Sequence, residues 1–96
     1  MIKHFSVLYV GFTELENAGV NGTPPDDRRY SPEHIAKAYP MAVDAAQHMD
    51  KLGYYALWGA EHHFQHEGYE VVPNLILWGT YLAARTNRLK IGCGFN

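Results

Sequence analysis

The shortages in this chain narrow its class first. Cysteine is almost absent: Cys93 is the single one, so no internal disulfide can form and a reducing cytoplasm suits the chain. An excess of either charge is also lacking. Eight Lys and Arg stand against ten Asp and Glu, for a net charge of -2. These charges are scattered, with no basic patch for nucleic acid and no polybasic arm for a membrane. No apolar run approaches the ~20 residues of a membrane span. The opening Met-Ile-Lys-His-Phe-Ser-Val-Leu-Tyr-Val contains a histidine, and Glu14 and Glu16 follow it without a small-residue cleavage pattern. It reads as a strand and not as a secretion signal. The glycines make neither GxGxxG nor a P-loop. Gly92-Cys93-Gly94 lacks the third glycine and the helix that a dinucleotide fingerprint needs. Internal repeats and low-complexity segments are missing too.

What is present is globular. Apolar residues are 47% and charged residues 19% of 96, enough for one small domain at most. Residues 4–10 are β-branched and aromatic and predict a first strand, ended by Gly11-Phe12. Residues 13–31 are rich in turn formers, Asn17, Gly19, Gly22, Pro24 and Pro25 among them. A connection this long is often functional, and a solvated surface insertion is the other reading. Ser31-Pro32-Glu33 is a helix start. Ile35, Tyr39, Ala42, Ala46 and Met49 mark one helical face, with Lys37, Asp44, Gln47, His48 and Lys51 on the others. Pro40 predicts a kink, or a short turn before the main helix, and Gly53 is its stop.

Residues 54–59 are nearly all apolar and predict a second strand covered on both faces. Pro73-Asn74 opens a second helix that closes at Arg85-Thr86-Asn87, and residues 88–94 alternate as a third strand. The order strand, helix, strand, helix, strand calls for right-handed crossovers and a parallel sheet. It amounts to half a doubly wound sheet or about three-eighths of a (β/α)8 barrel, which typically needs ~250 residues. The chain ends at Asn96 directly after a strand-like run, so a piece of a longer protein is expected.

The chemistry concentrates where the second strand runs into Glu61-His62-His63-Phe64 and then a polar loop from Gln65 to Glu70. In α/β folds the carboxyl ends of parallel strands carry the active site. Imidazoles there can serve as acid, base or hydrogen-bond donor. A structural hydrogen-bonding role is the alternative for each histidine, and an ion-pair role for Glu61. Gly92 and Gly94 would let a flat ligand approach the third strand's backbone. Trp58 and Trp78 read as core, and Cys93 as a small packed residue. His62, His63, His66, Glu61 and Glu67 invite a metal reading, but HExxH is absent and the spacing fits no zinc pattern.

Together these residues resemble the N-terminal part of the bacterial luciferase-like monooxygenases. The likeness rests on Glu61-His62-His63-Phe64, Gly68, Pro73-Asn74, the helix end Leu82-Ala83-Ala84-Arg85-Thr86 and the strand Leu89-Lys90-Ile91-Gly92. It runs from about Tyr39 to Asn96; residues 11–32 depart from the pattern. The resemblance implies α/β architecture, the first three strands of a luciferase-like (β/α)8 TIM barrel spanning residues 1–96. It implies a flavin-dependent oxidoreductase, a monooxygenase using reduced FMN and dioxygen on a small organic substrate. The alternatives are F420-dependent hydride transfer on the same fold and a non-catalytic flavin binder. It implies His62 as the residue beside the flavin ring, with Glu61 and His63 as supports. Cys93, Gly94, Phe95 and Asn96 are implied as cofactor contacts, and Gly94-Phe95 as the place of a non-proline cis peptide. A flavin reductase and a homodimer of the full-length protein are the implied partners. The 96-residue chain alone is expected neither to close a barrel nor to turn over substrate.

Overall fold

The computed structural model describes residues 1–15, 30–63 and 70–95. The elements are β1 (Ser6–Tyr9), α1 (Pro32–Ala36), α2 (Ala38–Leu52), β2 (Ala56–Ala60), α3 (Leu75–Ala83) and β3 (Lys90–Phe95). Among the described residues the three strands form one parallel sheet in the order β1-β2-β3. This is the predicted order of elements, with strand limits displaced by one or two residues. Of the long first connection, residues 16–29 lie outside the described residues.

Local chemistry sets the helix limits. The Ser31 hydroxyl accepts the His34 N–H at 3.1 Å, ahead of Pro32 at the first helical position. The break falls at Lys37, three residues before Pro40. Pro40 has no N–H for the Ala36 carbonyl, so α1 ends there. Restarting at Ala38 puts Pro40 in the first turn of α2, where backbone N–H groups have no helical acceptor anyway. Gly53 closes α2 in the left-handed region at φ 82°, its N–H reaching the Asp50 carbonyl at 3.2 Å. At the start of α3 the Asn74 side chain accepts the Leu77 N–H at 2.9 Å.

The core lies between one face of the sheet and both long helices. Leu57 of β2 meets Ala42 and Ala46 of α2, Leu75, Trp78 and Leu82 of α3, and Val72 and Leu89. The Tyr9 ring lies parallel to Trp78 at 6.2 Å, and its burial pushes the phenol pKa up. Gly59 permits this contact, since a Cβ there would overlap Trp78 and Leu75. The buried line of α2 is Ala38, Ala42, Ala46 and Asp50. It is turned from the predicted face, leaving Tyr39 and Met49 half-buried on the flank. Small side chains let α2 lie close, and its last buried position is a carboxylate.

The opposite face of the sheet is bare along its middle row. Register aligns Leu8 with Trp58 and Trp58 with Gly92. Leu8 is 59% and Trp58 45% exposed. This corrects two expectations: β2 is open at Trp58 on this face, with Ala56 and Ala60 on the same side buried, and only Trp78 is a core tryptophan. The reason is that α2 and α3 both pack on the Leu57 side. The Trp58 indole instead lies across the surface of β3, where a Cβ on Gly92 would overlap it. No helix among the described residues is long and apolar enough to cross a membrane.

Candidate active site

Two backbone bonds build the frame at the carboxyl end of the sheet. The Val71 N–H donates to the Gly11 carbonyl and the His62 N–H to the Val72 carbonyl, both at 2.9 Å. Residues 71–72 are thus tied to the ends of both β1 and β2. Val72 is buried against Gly11, which sits at φ 66° and has no room for a Cβ. The corner Glu61-His62-His63 follows directly from β2, where the strand order places it.

The corner contains two separate acid–imidazole pairs. Glu61 Oε1 lies 3.1 Å from His63 Nε2, and Glu61 Oε2 accepts the Leu75 N–H at 2.9 Å. Leu75 is the first residue of α3, so this carboxylate satisfies an unpaired helix N–H at the positive end of the dipole. The Leu75 N–H first, and the His63 ring second, hold the Glu61 carboxyl below the usual carboxylate range. Glu61 is therefore an ionised anchor. The other pair joins His62 Nδ1 to Glu70 Oε2 at 3.0 Å, with side chains 29% and 20% exposed. The structure brings Glu61 to His63 and not to His62. The acid that meets His62 is Glu70, which sequence reading passed over because it lies across the loop.

The third strand end is arranged differently from the expectation. Gly94 is on the bare face, where a Cβ would approach the Gly59 carbonyl to 2.8 Å and Leu8 Cδ1 to 3.9 Å. The glycines at 92 and 94 are thus required by the indole and the backbone of β2. Cys93 is exposed, not packed, and lines a shallow groove with Ile76, Gly79 and Ile91 on the helix side of the sheet. Its thiol is on the face opposite Gly92 and Gly94. The described residues contain no cis peptide, so the Gly94-Phe95 bond is trans, correcting that expectation. Phe64, His66, Glu67, Gly68 and Asn96 lie outside the described residues. Among those described, no cluster of three or more His, Cys, Asp or Glu is placed to hold a metal ion.

These residues fit the ring of a flavin. Exposed apolar side chains at Leu8 and Trp58, and imidazoles past the end of β2 that can donate or accept a proton, are groups of the kind such a ring takes. Among the described residues Lys51, Arg85, Arg88 and Lys90 are at the amino end of the strands, away from these groups. There the buried Asp50 carboxylate accepts the N–H groups of Asn87, Arg88 and Leu89 at 2.8–2.9 Å. Those bonds, led by Asn87, hold its pKa below the usual range. The one sequence hint of this clamp is an acid four residues after Ala46 on an apolar stripe.

A parallel β/α unit of this order belongs to the barrel and doubly wound folds as a class. The comparison with known families then places it. Residues 13–95 match the luciferase-like monooxygenase family, and the chain belongs to that family. The match begins at residue 13, so it includes the loop that the resemblance had left aside. An uncharacterised protein, y4wF, of Sinorhizobium fredii (strain NBRC 101917 / NGR234) is 40% identical over 58 residues. That stretch covers 60% of this chain and 16% of the relative. The β-α-β-α-β arrangement is that of part of a luciferase-like (β/α) barrel.

Proposed function

We propose that this chain forms one wall of a flavin site in an oxidoreductase, a monooxygenase that uses reduced FMN and dioxygen on a small organic substrate. The observation that carries the reading is the acid-paired His62 at the carboxyl end of β2, in a chain of the luciferase-like monooxygenase family. Bound flavin would supply the electrons for dioxygen. His62 gives or takes the proton, or donates a hydrogen bond, beside the ring. Glu61 stays ionised and holds His63 and the start of α3. Leu8, Trp58 and the backbone of Gly94 and Phe95 offer the surface on which the ring rests, with Asn96 following them. Cys93 contributes through its backbone, because its thiol is on the other face. The phosphate is held by parts of the barrel beyond these strands.

The reading carries with it a flavin reductase as the source of reduced FMN, a homodimer of the full-length protein and a cytoplasmic setting. The test is His62→Ala in the full-length protein. Turnover with reduced FMN falls by about 100-fold or more; wild-type turnover would sink the assignment. Dioxygen consumption separates the monooxygenase from F420-dependent hydride transfer, which shares the fold and site but uses no oxygen.

A further inference from the structure

We infer that Glu70 is a positioning residue for His62: its carboxylate keeps the imidazole proton on Nδ1 and so makes Nε2 the nitrogen that exchanges protons at the rim. The contact is direct, 3.0 Å from Glu70 Oε2 to His62 Nδ1. The contact is an ion-pair approach without hydrogen-bond geometry, and a carboxylate oxygen at that distance disfavours a bare lone pair on the facing nitrogen and favours hydrogen there. A neutral imidazole has one N–H. With that hydrogen on Nδ1, the lone pair is on Nε2.

The frame makes the pair more than a chance surface contact. Glu70 precedes Val71 and Val72, whose backbone is bonded to Gly11 on one side and His62 on the other. Val72 is 2% exposed and pressed against Gly11. The His62 backbone and the segment carrying Glu70 are therefore fixed relative to one another. Glu61, the sequence neighbour, has one oxygen on the Leu75 N–H and the other on His63. Among the described residues the two histidines thus face different acids. When His62 takes a proton, it enters at Nε2. The Nδ1 proton stays toward Glu70. The functional weight of this pair rests on the reading of His62 given above, but the tautomer itself needs no flavin.

The test is long-range proton–nitrogen correlation of the 15N-histidine-labelled full chain without flavin, on the alkaline side of the imidazole titration. His62→Gln assigns the signal. His62 is expected to show a protonated Nδ1 and a bare Nε2. Glu70→Ala moves it toward protonated Nε2, and Glu70→Gln, whose amide oxygen still accepts, restores the Nδ1 form. Glu61→Ala changes His63 and leaves His62 as it was. A protonated Nε2 on wild-type His62, or a His62 pattern that Glu70→Ala leaves unmoved, overturns the inference. If Glu70→Ala fails to fold, the wild-type spectrum decides. A protonated Nδ1 together with full turnover by His62→Ala would uphold the pair and remove the flavin reading.

Discussion

The two ends of this sheet use the same device for different purposes. At each end a carboxylate accepts backbone N–H groups and is held ionised. Asp50, at the amino end, gives its oxygens to three consecutive N–H groups, those of Asn87, Arg88 and Leu89. It joins the end of α2 to the entry of β3. Glu61, at the carboxyl end, gives one oxygen to the start of α3 and the other to an imidazole. The difference is one carboxylate oxygen left for a titratable partner. This matches the division of parallel β/α folds, with stability at the amino face and chemistry at the carboxyl face.

Substitutions tell the two carboxylates apart. Asp50→Ala leaves three N–H groups without their acceptor and is expected to lower the melting midpoint by roughly 10 °C or more. Glu61→Ala removes one backbone bond and lowers it by about half as much. Equal losses would mean that the two carboxylates are doing the same job. Gly59→Ala pushes a methyl into Trp78 and Leu75 and should cost about 1–3 kcal/mol in denaturant unfolding. Leu8→Ala on the bare face, at 59% exposure, should stay within about 0.5 kcal/mol. A larger cost would show that something covers Leu8 in the folded protein.

The dependence on pH sharpens the same contrast. Both carboxyls have folded pKa values lowered from their ordinary ones. Each therefore contributes stability that is present above its unfolded pKa, about 4. That stability is lost as pH falls through the lower folded value. Asp50→Asn is expected to be less stable than wild type at neutral pH. The gap should close as the pH drops below about 4 toward the folded pKa. A gap that is constant with pH would show that charge contributes nothing to the clamp.

Much of the fold was legible in the residues because its determinants are local. Ser31-Pro32, Gly53 and Asn74 set helix limits through bonds within a few residues. The corner's place at a strand end followed from the order of elements. Its internal pairing did not. Glu61 and His63 are two residues apart, yet nothing in the spacing shows that Leu75 N–H orients Glu61 toward His63. Glu70 reaches His62 only because the chain returns past Gly11. Trp58 and Trp78 look alike in sequence, both set in apolar runs. One is core and the other bare because both helices pack on the same side of the sheet.

Local rules were enough for the β-α-β-α-β order, the parallel sheet and the position of Glu61-His62-His63 at the carboxyl end of β2. Capping, periodicity and backbone restriction act over one or two turns, within reach of neighbouring residues. Only the tertiary structure decided which acid serves which histidine, which face of β2 stays open and that Asp50 bonds residues 37 to 39 positions away. Those choices depend on strand register and on where loops return, and register is set by the packing of the whole sheet against α2 and α3.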